Sequence, residues 1–552
     1  MRPEVDLLRA GLLPPLPAAL LAGEDADLLA PLRMWTPSMP WPENAAAPIP
    51  ASGAVSGGSS GDPRAALAEG LAAANRNYGH ARAEDLGRRL ADPSTGVVVT
   101  GQQPGVLGGP LYTLTKAIAA VRLAECMTAD GRPTVAVFWV HTEDHDFAEI
   151  ARTAVLAPAG PLELSLGADE APLRPVGMRR LGTGVDELLA RIREAVPGDG
   201  YHRWLDEMGG MYRAEAGIGE AFCRLLVRLL GDRCPLLLDG MLPTVKRAQV
   251  PWLERLVERR SMVAERLQER SLRVTERGYR LQVRSQPETA PFFLLRNGER
   301  RRVLWDGDGY ALRGLPAAAG GTIDEILRLV RDEPERISPS ALARPAVQDA
   351  ILGTTVQVLG PGELAYMTQA AGTHEALGIA PPGVALRPQV VILGRKQVGW
   401  LEASGVGLDE VVARDDRLDA ALARELGGDF VQPVRQRIEE LLATLDGPAA
   451  ALDSNLERPL SKTRQQVVRA LDTFSGKVAG ALASQDQIQR RRLGELRTIC
   501  RPLGGLQERV ISAAHFPGRQ GERFVQAMWH LDLAPDRLQA IVPDETPEGA
   551  VS

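Results

Sequence analysis

The sequence predicts an α/β protein: an open, mostly parallel sheet core with inserted subdomains, followed by a long α-helical coiled-coil arm. Three observations lead there. Short β-branched runs alternate with helical patterns from residue 96 to residue 393. The segments between those runs are long enough to be crossover helices. Beyond residue 408 the apolar period changes to a three-four spacing with charges between.

The N-terminal stretch LLRAGLLPPLPAALLA is apolar, but Arg9 and the prolines at 14, 15 and 17 interrupt it, so it does not read as a signal peptide. Residues 36–64 are rich in Pro, Gly, Ser and Ala and read as a linker that closes an N-terminal segment, 1–64. A helix is expected over roughly 65–90.

The clearest unit follows. Gly96–Thr100 is a short buried strand, and GQQPGVLGG is a glycine-rich turn. Pro110 opens a helix to about Met127 as its first helical residue. Thr134–Val140 is a second strand, so the unit is a right-handed βαβ crossover. A helix over 212–230 leads to the strand Pro235–Asp239. Thr354–Leu359, the turn GPGE and a helix over Leu364–Leu377 repeat the logic, and Val384–Leu386 and Gln389–Leu393 add strand material. The core therefore spans 65–407, with insertions at about 151–210 and 270–340. The second insertion carries mixed β signals such as YRLQV and PFFLL.

In the arm, 408–500, Val434, Ile438, Leu441 and Leu445 share one face, as do Val467, Leu471, Phe474, Val478, Ala481 and Ile488. Pro459, just after Asn455, is the expected bend of an antiparallel hairpin. A seam that one hairpin leaves uncovered predicts a homodimer through the arm. Residues 501–552 are expected to pack back on the core.

Composition narrows the function classes. The 552 residues carry a net charge of −6 and no long basic run, which argues against nucleic acid. No apolar stretch approaches the ~20 residues that span a bilayer. Four cysteines without a CxxC pair fit neither a zinc ribbon nor a disulfide framework, so a reducing cytoplasm is expected.

Candidate chemistry gathers at the carboxyl ends of the first two core strands, where open α/β sheets bind ligands. Gly101, Gln102, Gln103, Gly105, Gly108 and Gly109 form the turn after the first. The following helix directs its N-terminus there, with Thr113 and Lys116 near it, an arrangement suited to an anion. The turn matches neither the dinucleotide nor the P-loop fingerprint, and glycines kept for packing alone are the competing reading.

The stretch WVHTEDHDF places Glu143, Asp144, His145 and Asp146 at the end of the second strand. Asp146 with Glu149 can cap a helix. His141, Asp144 and His145 approach a zinc-binding spacing, but His141 closes a strand rather than sharing a helical face. The third reading is a substrate site, in which carboxylates hold an ammonium or Mg²⁺ and His145 moves a proton. Gly360, Gly362, Glu363 and Tyr366 mark the later turn and helix. Arg344 and Arg387, each followed by proline, suit a carboxylate or phosphate. His80, His202, His374, His515 and His530 are taken as structural.

At these residues the chain resembles the bacillithiol biosynthesis family BshC, the cysteine-adding enzymes. The matching segments are VVVTGQQPGVLGGPLYTLTKAIAAVRLAE, VFWVHTEDHDFAEI, Ser338–Asp349, GPGELAY, Arg387-Pro388 and PLGGLQER. The resemblance implies a Rossmann-like core, a dimerising coiled coil, and the joining of L-cysteine to glucosaminyl-malate. ATP or another adenine nucleotide, with Mg²⁺, is inferred from the need to activate a carboxyl. On this reading the glycine turn and Lys116 bind phosphate or activated carboxylate. Glu143, Asp144 and Asp146 hold the amine or a metal, and His145 accepts a proton. A non-catalytic nucleotide-binding protein and a metal-dependent amide hydrolase are the alternatives.

Overall fold

The computed structural model describes residues 3–35, 62–414, 416–425, 431–483 and 487–543. Six strands, β1 (Arg33–Met34), β2 (Gly96–Gln102), β3 (Thr134–Val140), β4 (Leu236–Asp239), β5 (Thr354–Leu359) and β6 (Gly383–Leu386), form one sheet in the order β1-β6-β5-β2-β3-β4. Every neighbouring pair is parallel. Helices cover both faces, which is why β3 is apolar and buried along its whole length. Val135, Val137 and Trp139 feed one core, whereas Phe138 and Val140 feed another.

The chain moves outward from β2 through β3 to β4, then returns to the other side of β2 for β5 and β6. The strand order therefore reverses between β2 and β5, and the crevice at their carboxyl ends is the topological switch point. Three helices border it or brace it: α1 (Tyr112–Ala129), α2 (Pro243–Glu258) and α3 (Pro361–Leu377).

Several expected elements move. The helix over 65–90 is two helices, Pro63–Asn77 and Ala83–Ala91, separated at Gly79 where φ is +88°. Pro110 is not the first residue of α1; it bridges to Ser512, and the next N–H, of Leu111, donates to the Ile511 carbonyl at 2.8 Å. The helix expected over 212–230 is Ile218–Leu230, preceded by Asp199–Met211. Residues 279–283 form no strand. The second insertion instead builds a five-stranded antiparallel sheet around Thr289–Arg296 and Glu299–Asp306, with Ile337–Pro339 at one edge.

Gln389–Ile392 leaves the main sheet. Arg387 N–H still donates to Leu359 O at 2.8 Å, but Pro388 has no donor to continue the ladder. Gln389–Ile392 pairs instead with Arg537–Ile541, which pairs with Glu4–Asp6, so these two segments are joined in one small sheet with the strand that leaves the core.

The arm is an antiparallel hairpin. Val431–Ala443 and Asp446–Leu452 lead out, Glu457–Ala483 returns, and Gln487–Cys500 re-enters the core with Leu493, Leu496 and Cys500 buried. Arg435–Asp472 at 2.7 Å and Arg464–Asp446 at 2.6 Å fix the antiparallel register. The reversal comes at Asp453–Leu456, where Asp453 accepts from the Asn455 N–H at 2.8 Å. Pro459 lies in the first turn of the returning helix rather than at the bend. Ile438, Val467, Leu471 and Val478 are half-buried, whereas Val434, Leu441, Leu445, Phe474 and Ile488 are exposed. Most of the expected linker (36–61) and the side chain of Ala481 lie outside the described residues. Among the described residues, no helix is long and apolar enough to cross a membrane.

Candidate active site

The crevice is built where β2, β3 and β5 end. At the end of β2, Gly101 meets its neighbours so closely that a Cβ would stand 2.7 Å from both His141 Nε2 and Trp139 O. Only glycine fits there. Lys116, one turn inside α1, is buried and spends its ammonium within the protein. It donates to Gly101 O (2.7 Å) and Gln102 Oε1 (3.0 Å) and pairs with Glu363 at 2.5 Å. Glu363 also accepts the Gly360 N–H at 2.7 Å, so one carboxylate ties α1 to the start of α3. Burial lowers the Lys116 pKa, and Glu363 opposes that shift.

The glycine turn does not form a phosphate cradle. Gly105 N–H donates to Gln103 O, Gly108 N–H to the Tyr212 hydroxyl and Gly109 N–H to Val106 O. The N–H groups of Thr113 and Leu114 are also engaged, by Pro110 O and Leu111 O. Val106, Leu107 and Gly108 are buried, and a Cβ on Gly108 would lie 3.2 Å from Leu225 and Ala513. Gly108 and Gly109 therefore serve close packing against the C-terminal segment. Thr113 Oγ1 is buried without a partner.

The acidic stretch separates into individual roles. Glu143 is sealed inside, paired with the buried Lys246, which also donates to Ile337 O at 2.6 Å. The ammonium that Glu143 holds is thus the protein's own rather than a substrate's. A side chain at Gly240 would collide with the Glu143 carboxylate. Asp146 is exposed and caps the short helix Phe147–Ile150 through the Glu149 N–H at 3.2 Å, as the capping reading requires. Asp144 faces the crevice, where it accepts from Gln103 Nε2 at 2.8 Å and lies 3.3 Å from Arg300 Nη1. His145 is half-buried, with Nδ1 at 3.2 Å from the same Arg300 nitrogen.

His141 turns into the site beside Gly101, with Nε2 buried and unpartnered. Burial, then Arg344 and Lys116, hold its pKa well below the ordinary value. His141 and His145 do not share a ligand set, and no group of three metal-binding side chains occurs among the described residues. Burial, then Arg300, also lowers the His145 pKa, against Asp144 and Asp146. Glu149 is an exposed residue whose carboxyl is nonetheless shifted upward, by partial loss of solvent and by the charges of Asp146 and Asp144.

The two arginines differ. Arg387 is buried, and its Nη1 and Nη2 engage both oxygens of Glu508 at 2.8 and 2.7 Å, leaving Nε without a partner. It braces PLGGLQER against β6 instead of offering its fork to a ligand. Arg344 is half-buried, donates to the Tyr366 hydroxyl at 3.2 Å and has no acid partner among the described residues. Burial raises the Tyr366 and Tyr112 phenols to about 12. Gly362 is exposed, with open space where a Cβ would go.

The sequence reading missed Lys246, Arg300, Tyr112 and Glu508. Lys246 carries no local sign of burial. Arg300 had one: three consecutive arginines in a strand cannot all face solvent, since alternate side chains point inward. Of the remaining histidines, His80 meets Cys234 O (2.9 Å), His374 meets Asp349 (2.8 Å), His515 meets the Tyr201 hydroxyl (3.0 Å) and His202 meets Val196 O (3.0 Å). These are structural hydrogen bonds, and all four cysteines are free.

Residues 54–388 match the family model for the bacillithiol biosynthesis BshC N-terminal Rossmann-like domain. Residues 390–542 match the BshC C-terminal coiled-coil domain. Three relatives carry the name "Putative cysteine ligase BshC". The chain is 30% identical to the one from Solibacter usitatus, over 78% of this chain and 82% of that protein. It is 30% identical to the one from Salinibacter ruber, over 85% and 86%. It is 31% identical to one from Thermus thermophilus, over 81% and 89%. With its Rossmann-like core, its coiled-coil arm and nearly its whole length matched, the chain belongs to the BshC family of bacillithiol biosynthesis proteins.

Proposed function

We propose that this protein is a cysteine ligase that joins the carboxyl of L-cysteine to the amine of glucosaminyl-malate. The observation that carries the reading is Arg344. A guanidinium facing the switch-point crevice without an acid partner is a ready site for a carboxylate. Both reactants carry carboxylates, and the malate group fits a permanent anchor better than a group that must react. Glu149, in the short helix that Asp146 caps beside Asp144, is the group we propose takes a proton from the attacking amine. Asp144, held by Gln103 and Arg300, presents negative charge toward the same ammonium before it loses that proton.

Amide formation from a free carboxylate in water is uphill, so ATP or another adenine nucleotide with Mg²⁺ belongs to the reaction as proposed. The N–H groups of Gly105, Gly108 and Gly109 already have acceptors and do not fit its phosphates, and no residue is assigned to it. The test is mass-spectrometric detection of the cysteinyl amide from L-cysteine and glucosaminyl-malate, with and without ATP and Mg²⁺. Absence of product under both conditions overturns the ligase reading.

The proposal includes a homodimer in the cytoplasm. Its support is the arm, where Val434, Leu441 and Phe474 are each about half exposed on a hairpin that does not cover them. Light scattering should give twice the chain mass, falling to one chain mass in Leu441→Glu/Phe474→Glu.

A further inference from the structure

We propose that His145 works as a neutral hydrogen-bond donor through Nε2–H, aimed at an oxygen of the carboxyl being joined, and that Arg300 is the positioning residue that fixes this tautomer. The inference rests on the ligase reading for the identity of that oxygen, but not for the tautomer.

The geometry starts in the second insertion. Arg300 sits on the strand Glu299–Asp306 and is buried. Its guanidinium carbon lies 3.7 Å from the centre of the Phe293 ring. Nε donates to Ser338 Oγ at 2.9 Å, and Nη2 to Pro339 O at 3.3 Å. With the ring contact and these two bonds holding the group, Nη1 is aimed at Asp144 Oδ1 (3.3 Å) and His145 Nδ1 (3.2 Å).

A guanidinium has five donors and no acceptor. The His145 nitrogen facing it must therefore accept, so Nδ1 carries no proton. In a neutral ring the proton then resides on Nε2. The imidazolium is disfavoured, because it would aim an Nδ1–H at the Arg300 cation. Asp144 does not reverse this, since its oxygen is 3.7 Å from Nδ1 and accepts the His145 backbone N–H at 2.7 Å. The other charges that bear on the ring, Asp146 and Arg179, oppose one another.

The consequence is chemical. A base needs a free lone pair directed at its substrate, and the lone pair of His145 is directed at Arg300. What His145 offers to the crevice is a proton donor, with no partner for Nε2 among the described residues. When a carboxyl is attacked by an amine, negative charge develops on its oxygen, and a positioned N–H stabilises it without transferring a proton. The proton-accepting role expected for His145 passes to another group.

The tautomer is testable without any ligand. Two-bond proton–nitrogen correlation spectra of the full-length protein with labelled histidine, assigned by the signal lost in His145→Gln, should show Nε2 protonated and Nδ1 bare at neutral pH. Arg300→Lys, which also can only donate, should keep that pattern. Arg300→Gln, whose carbonyl can accept, should admit the Nδ1–H form. In ligation assays His145→Gln, which retains an N–H near Nε2, should stay within about 10-fold of the parent. His145→Ala should lose about 100-fold or more, the usual effect of removing one such donor. An Nδ1–H or doubly protonated ring in the parent protein overturns the proposal, even if the Arg300 variants fail to fold. So does a His145→Gln variant as inactive as His145→Ala. A parent protein without ligation activity defeats the ligase reading alone, because the spectra still report the tautomer.

Discussion

Replacing Lys246 with methionine keeps the volume of the stem and removes the ammonium. In the folded protein the side chains of Lys246 and Glu143 are 1% and 5% exposed, so water cannot substitute for the lost partner. Glu143 would then be a buried carboxylate without a counter-charge, and Ile337 O would lose its donor. Breaking one side of a buried ion pair costs about 3–5 kcal/mol, because the remaining charge stays desolvated. Urea unfolding followed by tryptophan fluorescence should show that loss in Lys246→Met. In Glu143→Gln/Lys246→Met no ion is left, and most of the loss should return. The two substitutions together should thus be less damaging than Lys246→Met alone, a non-additivity expected only of groups in contact. If Lys246→Met lies within about 1 kcal/mol of the parent, or the double variant is the weaker, the buried pair does not hold the EDHD segment in place.

Three further outcomes follow from the site and its surroundings. Arg344→Ala should leave the melting temperature unchanged, since no acid depends on it, yet weaken ligation by about 1.5–3 kcal/mol, or roughly 10- to 150-fold in kcat/KM; unchanged kinetics would remove it as the anchor. Gly108→Val should lower the melting temperature, because φ is +83° and a Cβ meets Leu225 and Ala513 at 3.2 Å, whereas Gly362→Ala should be neutral. Acid should destabilise the fold through His515, whose pKa is lowered by burial from 6.5 to about 3. Between those values the unfolded chain binds the proton and the folded chain does not. Stability therefore rises with pH across that window, by about 1.4 kcal/mol per pH unit for this group. His515→Gln should flatten the dependence between pH 6.5 and 5 by about 2 kcal/mol, and equal slopes would contradict the burial argument.

Sequence alone determined the elements whose signal is local. Strand periodicity and flanking glycines located β2, β3 and β5 within a residue or two, because a parallel strand buried on both faces must be continuously apolar. Heptad spacing marked the arm for the same kind of reason, and the GQQ and EDHD segments fell at strand ends that the βαβ rule brings together. Tertiary structure alone decided which of those polar groups remain available. Each carboxylate of EDHD, each N–H of the glycine turn and each guanidinium could have faced a ligand. Lys246 and Glu508 withdraw Glu143 and Arg387 from any ligand, whereas Arg300 holds Asp144 at the crevice. Lys246, Arg300 and Glu508 lie 103, 156 and 121 residues along the chain from Glu143, Asp144 and Arg387, the groups they hold. Arg300 comes from the second insertion and Glu508 from the C-terminal segment. A buried charge must find its partner in space, and no local pattern records where that partner will come from.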